Sequence, residues 1–265
     1  MRENFKLNPM NISFIGCGHI AKALIKGFSA DKEINIFGFD KLEDNLKWLN
    51  ENGYKYLSLK ACCDCSDIIF LCVRPQDMHD LCNELASGNL EDKKIISVAA
   101  GIKLDQIEKL IPRNKVYRVM PNIGSKNNLG ITAVFSKNDN QELLELLKIL
   151  GEAYEVDNED QIDLHTVLLG STPAFFYDLL HEFESRVEEL IDDKDQIRVA
   201  TIVFLSSLIT SISKGQDLLE LVESVASKGG TTEAGINFLR EQRFNEIFSK
   251  AVDAGIIRAR ELSKD

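Results

Sequence analysis

Asn11-Ile12-Ser13-Phe14-Ile15-Gly16-Cys17-Gly18-His19-Ile20-Ala21 reads as an apolar strand, a glycine turn and the first turn of a helix. In Gly16-x-Gly18-x-x-Ala21 the first glycine permits the tight turn and the second lets backbone approach a pyrophosphate. The small third residue lets helix pack on strand. The bare pattern is common, so its context decides its weight. Here a strand precedes it, an amphipathic stretch (Ile20–Phe28) follows it, and the next apolar run ends in an acid, Asp40, 24 positions after Gly16. An acid at that point accepts from ribose hydroxyls and repels a 2′-phosphate, which favours NADH. Lys41 comes next and offers a partner to that phosphate, so NADPH stays open. Ile15, Gly16, Cys17, Gly18, His19, Ile20, Asp40 and Lys41 are therefore the first candidates for cofactor contact.

Short apolar runs continue along the chain: Asn11–Gly16, Ile34–Asp40, Asp67–Val73, Lys94–Val98, Val116–Met120 and Gly130–Phe135. Helical patterns lie between several of them, such as Leu42–Leu49 and Met78–Leu85. This alternation predicts an α/β fold, a Rossmann-type doubly wound sheet of parallel strands with crossover helices on both faces. Ile68-Ile69-Phe70-Leu71-Cys72-Val73 is apolar on both sides, as a central parallel strand requires. In such sheets ligands lie beyond the strand C-termini. That adds Cys72, Val73, Arg74 and Pro75 after one strand, Ala99 and Ala100 after another, and Asn122 after a third. Small residues there leave room for a nicotinamide. Arg74 is placed either to meet a phosphate or to cap the following helix, and Asn122 serves as an amide partner or a turn residue.

The character changes near residue 157. From Ala174 onward there is no proline, and Phe176, Leu180, Phe183, Val187 and Leu190 recur at spacings of three and four, one helical stripe. Ile197 to Ile212 is apolar on nearly every face, so it needs burial that roughly a hundred residues do not provide alone. We expect a dinucleotide-binding domain over 1–157 and a helical domain over 158–265 that forms a homodimer, with scope for a larger homo-oligomer.

A net charge of −11, with no visible Lys/Arg cluster, argues against nucleic acid. The most apolar run, Val199 to Ile212, is short for a bilayer span and contains Ser and Thr, so no membrane partner is expected. The beginning shows no signal-peptide pattern, and residues 1–9 read as an extension, which points to the cytoplasm. The cysteines at 17, 62, 63, 65, 72 and 82 lie in the first third and read as reduced thiols. Cys62-Cys63-Asp64-Cys65 lacks the second ligand pair that zinc needs, so no metal is expected.

The other informative stretch is Ser227-Lys228-Gly229-Gly230-Thr231-Thr232, a glycine turn opening a helix. It aims free backbone N–H groups and two hydroxyls at one small anion. Together with Phe14–Ala21, Phe70–Gln76, Ser97–Ile102, Arg118–Asn122 and Gly170–Phe175, this motif resembles the pyrroline-5-carboxylate reductase family in order and over nearly the whole chain. The resemblance implies a Rossmann domain, a helical dimerisation domain, and NADPH or NADH reducing a cyclic imino acid to L-proline. It places the substrate between the nicotinamide and the turn. Ser227, Gly229, Gly230, Thr231 and Thr232 would bind substrate, and Thr232, the catalytic candidate, would hydrogen-bond the ring nitrogen.

The chain departs from the family pattern at Ile123, Gly124, Leu169, Thr172 and Lys228. These departures leave room for a substrate-shifted reductase of another small imine or a non-catalytic dinucleotide-binding relative. A β-hydroxyacid dehydrogenase generally employs a lysine on the first helix after the cofactor domain, and no lysine occurs between Lys148 and Lys194. His165 lies in that segment, where a lone histidine on an amphipathic helix is usually structural.

Overall fold

The computed structural model describes residues 9–262; the extension expected over 1–9 lies outside them but for Pro9. In chain order the elements are β1 (Met10–Ile15), α1 (His19–Phe28), β2 (Ile34–Phe39), α2 (Glu43–Glu51), β3 (Lys55–Tyr56), α3 (Leu59–Cys65), β4 (Ile68–Leu71), α4 (Met78–Ala86), β5 (Lys94–Ser97) and α5 (Leu104–Leu110). There follow β6 (Lys115–Met120), β7 (Gly130–Phe135), α6 (Gln141–Leu147), β8 (Gly151–Glu155) and α7 (Glu159–His165). The rest is helical: α8 (Thr172–Val187), α9 (Lys194–Ile212), α10 (Leu218–Val225), α11 (Thr231–Glu241) and α12 (Phe244–Leu262).

The strands form one sheet in the order β3-β2-β1-β4-β5-β6-β7-β8. Strands β1 to β6 are parallel, as the alternation predicts. The exception is β7, which pairs antiparallel with β6 and parallel with β8. A strand pattern specifies which residues face the core but not chain direction, so this reversal was hidden. The strand order reverses direction between β1 and β4, which opens a crevice beyond their C-terminal ends.

The period of two along each strand builds a core on both faces. From β1 and β4, Ile12, Phe14, Ile68 and Phe70 meet α1 through Leu24 and Phe28, with Phe14 stacked on Phe70 at 5.0 Å between ring centres. On the opposite face Ile15, Ile69 and Leu71 meet α4 and α5 through Leu81, Leu85 and Ile107. Each such side chain, removed fully from water, contributes roughly 1.5–3 kcal/mol.

Among the described residues, 9–170 together with 255–262 form one compact unit, and Ser171–Ala254 form a second. The first unit thus extends past residue 157 through α7 and a π-helical turn, Thr166–Ser171. In the second unit Phe183 of α8 stacks on Phe204 of α9 at 5.0 Å, and Arg198 pairs with Glu184 at 3.2 Å. Asp193 caps α9 by accepting from the Asp195 and Gln196 N–H groups. The stripe expected to reach Leu190 stops earlier: α8 ends at Val187, and Leu190 is 86% exposed in a turn.

Helix α9 spans 19 residues, longer than its apolar run, and by length and composition alone it is long enough to cross a membrane. Within this chain only Ile197 and Thr201 of α9 are buried, while Val203 and Ile209 are 62% and 65% exposed.

Candidate functional site

The crevice beyond β1 and β4 holds a cleft of about 440 Å³ lined by Ile15, Gly16, Gly18, Asp40, Lys41, Cys72, Val73 and Arg74, all expected from the sequence. Leu42, Asn45, Asp77 and Leu81 join them unpredicted. Gly16 adopts φ +88°, and a Cβ there would meet the Cys72 carbonyl carbon and oxygen at 2.9 Å. The turn therefore passes directly against the chain leaving β4, and only glycine fits. Gly18, the N-cap of α1, has open space where a Cβ would be, and no side chain caps the helix. An uncapped N-terminus with backbone open to approach suits a pyrophosphate, so these residues fit a dinucleotide.

Cys17 contributes backbone only; its side chain is buried, and burial, with the Asp40 carboxylate nearby, pushes its thiol up to about 12. Burial likewise pushes Cys62 and Cys63 up to about 11, so they behave as apolar packing groups. Among the described residues no group of three or more His, Cys, Asp or Glu is placed to hold a metal ion.

Arg74 sits on the rim with its Nε donating to Asp77 Oδ2 at 3.0 Å, and Pro75 starts the 3₁₀ turn that follows. His19 is exposed at the first position of α1, and Ile20 is half-buried beside it. Ala99 and Ala100 lie past the end of β5 and outside the lining of this cleft, Ala99 within the core and Ala100 packed toward Met120 and Ala133. Asn122 is a bracket rather than a free amide. Its Oδ1 accepts from the Gly124 and Ile131 N–H groups, both at 3.2 Å, and its Nδ2 donates to the Leu169 carbonyl at 3.1 Å. Gly124, one of the positions that depart from the family pattern, supplies the backbone N–H that Asn122 uses and that a proline there would lack.

Below Asn122 on β6, Arg118 is 1% exposed and donates to Glu159 at 3.2 Å and Asp163 at 2.6 Å, both on α7. Glu159 also accepts from the Leu104 N–H at 2.7 Å. This ionic group pins α7 to the sheet. His165, on the same helix, is 3% exposed, with Nδ1 at 2.7 Å from the Tyr154 hydroxyl, and burial lowers its pKa. It is a packed structural residue.

The second unit carries the turn that starts α11. Gly229 has φ +73°, a left-handed conformation that favours glycine. A Cβ on Gly230 would lie 2.6 Å from Ser227 Oγ. Gly230, not Thr232, is the N-cap, and no side chain caps the helix, so Thr232 is not spent on capping. The Gly230 N–H donates to Ser227 O at 3.0 Å. The Gly229 N–H donates to Glu233 Oε2 at 2.6 Å, so this amide is engaged within the turn. The first-turn donors that remain to meet an anion are the N–H groups of Thr231, Thr232 and Glu233. Glu233 was unpredicted, although a glutamate three residues after an N-cap is a capping signal. Lys228 is exposed.

Fold and cleft together define a dinucleotide-binding oxidoreductase architecture with a separate helical unit. A family model described as pyrroline-5-carboxylate reductase dimerisation matches residues 159–262, and one described as NADP oxidoreductase, coenzyme F420-dependent, matches residues 11–101. A pyrroline-5-carboxylate reductase from Staphylococcus haemolyticus is 30% identical over 97% of this chain and 99% of its own. The solved enzyme of that name from Streptococcus pyogenes is 25% identical, with a TM-score of 0.84 over 96% of this chain and 100% of its own. The Plasmodium falciparum pyrroline carboxylate reductase, solved with NADP bound, has a TM-score of 0.86 over 97% of this chain and 99% of its own. At 21% identity that likeness speaks for the fold alone. The chain belongs to the pyrroline-5-carboxylate reductase family.

Proposed function

We propose that this chain reduces the cyclic imine 1-pyrroline-5-carboxylate to L-proline with NADH or NADPH, the last step of proline biosynthesis. One observation carries the reading. An uncapped glycine-turn cleft and an uncapped Gly-Gly-Thr-Thr helix start occur in one chain that pyrroline-5-carboxylate reductases match almost end to end.

Gly16, Gly18 and the first turn of α1 would hold the pyrophosphate, with Cys17 setting the backbone and His19 and Ile20 flanking it. Asp40 and Lys41 face the adenosine ribose, and Ile15, Cys72, Val73, Arg74 and Pro75 the middle of the cofactor. Ala99 and Ala100 keep the end of β5 small for the nicotinamide, and Asn122 holds the neighbouring loop. When bound, the reduced cofactor supplies a hydride to the imine carbon. The amides of Thr231, Thr232 and Glu233 would fix the substrate carboxylate, while Gly229, Gly230 and Ser227 shape the turn. Thr232 orients the ring nitrogen, which receives the electron pair of the C=N bond. Its hydroxyl is too weak an acid to supply the proton itself, so it passes one from water.

The division into a cofactor domain over 1–157 and a substrate and dimerisation domain over 158–265 belongs to the same proposal, supported by the match to 159–262. So does a homodimer covering the open apolar face of α9; that face lies on the matched segment, and serine and threonine interrupt it. A cytoplasmic setting is supported by six unpaired cysteines.

The test is steady-state oxidation of NADH and of NADPH with 1-pyrroline-5-carboxylate, in wild type and Thr232→Ala. Turnover should fall at least tenfold in the variant, and about 10²-fold if the hydroxyl gives ordinary acid–base assistance. Folded wild type that binds cofactor yet turns over neither pair would transfer the assignment to another imine or a regulatory role.

A further inference from the structure

The adenosine end of the cleft is more constrained than a lone acid at a strand end. Asp40 Oδ2 accepts from the Cys17 N–H at 2.6 Å and from Asn45 Nδ2 at 2.8 Å, while Oδ1 accepts from the Leu42 N–H at 2.7 Å. Asn45 in turn accepts from Lys22 Nζ at 2.8 Å, and that ammonium lies 5.1 Å from the Trp48 ring centre. The carboxylate is thus fixed from the glycine turn, from the start of α2 and from the face of α1. It cannot swing aside for a second anion without breaking these bonds. A carboxylate has about four acceptor positions, so roughly one remains for a hydroxyl donor.

Two of the nearby cations already have partners. Lys22 is turned to Asn45, and Arg74 is paired with Asp77, which adds its own negative charge to the cleft wall. The N-terminus of α2 is a natural phosphate seat, but it already carries Glu43 and Asp44 in its first turn. Lys41 alone among the described cleft-lining cations has no ion pair, and it shares the cleft lining with Asp40 and Asp77 and precedes Glu43 and Asp44 in the chain.

We propose that the Asp40–Asn45–Lys22 bracket makes this chain select the non-phosphorylated dinucleotide, NADH over NADPH, with Asn45 as the positioning residue. A ribose bearing a free 2′-hydroxyl donates to the remaining position on Asp40. A 2′-phosphate brings about two negative charges against a carboxylate that has no room to retreat. The proposal rests on the reading of the cleft as a dinucleotide site, and the experiment separates the two.

Titration calorimetry of the full chain with NADH and with NADPH, at low and at moderate salt, reads the ratio of dissociation constants. NADH should bind at least tenfold tighter, with the gap narrowing as salt screens the repulsion. Asp40→Ser should bring the ratio close to one. Asn45→Ala keeps the acid but frees it to move, so it should lower the ratio at least threefold even if Asp40→Ser fails to fold. Equal or tighter NADPH binding in wild type would overturn the proposal and leave the dinucleotide site standing. An unchanged ratio in Asn45→Ala would remove Asn45 from it. Binding of neither cofactor to folded protein would overturn the site reading and this proposal together.

Discussion

Replacing Arg118 by methionine removes the cation from a buried ionic group while keeping most of the side-chain volume. Arg118 is 1% exposed, and the side chains it pairs with, Glu159 and Asp163, are 18% and 10% exposed. They stand four residues apart on α7 and so share one helical face. Without the guanidinium, two carboxylates remain desolvated and close together. Glu159 keeps the Leu104 N–H, but among the described residues no second donor reaches Asp163. Breaking a buried pair in this way costs about 3–5 kcal/mol. For a chain of this size that corresponds to a melting temperature roughly 6–20 °C lower. Thermal melts followed by far-UV circular dichroism would measure it. The same reasoning requires partial recovery when the stranded charges go too. Arg118→Met with Asp163→Asn should recover more than Arg118→Met with Glu159→Gln, and the triple substitution should recover most. A single variant melting within about 2 °C of wild type, or a triple no better than the single, would refute this account.

Gly16→Ala should lose at least tenfold in dinucleotide affinity and about 1–2 kcal/mol or more in stability, because the new Cβ meets the Cys72 backbone at 2.9 Å and φ stays positive; unchanged titration calorimetry would show that the turn is not close-packed. His165 has its pKa lowered by burial, so the unfolded chain takes up its proton first as pH falls. Stability should be full above pH about 6.5 and drop below it by up to about 1.4 kcal/mol per pH unit until the folded-state value is passed. In urea titrations His165→Gln should flatten that slope, and an unchanged slope would assign it to other groups. Val203→Asp on the open face of α9 should convert the assembly to monomer, read by light scattering after gel filtration, whereas an unchanged mass would place the interface elsewhere.

The Rossmann unit was legible because its signals are local. The turn at Gly16 and Gly18, the acid Asp40 and the two-sided apolar run around Phe70 all declare themselves within a few residues. What stayed hidden depends on partners distant in sequence. Asn45 looks like any polar residue on a short helix until Asp40 and Lys22 are brought to its two ends. Arg118 sits in an apolar strand, and nothing nearby in the chain announces carboxylates 41 and 45 positions away. Glu233 was readable as a capping residue, yet the amide it takes belongs to Gly229, one step outside the helix start. Asn122 stands out beside Pro121 in the sequence, but its hold on Ile131 and Leu169 shows only once the fold brings them to it.

The reversal at β7 sets the end of the sheet at which the chain leaves it. Because β7 and β8 run against the first six strands, the chain comes off β8 at the edge remote from the crevice, and α7 climbs back past Arg118. Residues Thr166–Gly170 then emerge at the level of Asn122, which takes hold of the Leu169 carbonyl. A β8 running with the first six strands would bring the chain off the sheet at the crevice end instead. The direction of a single edge strand decides at which end of the sheet the first unit hands on its chain.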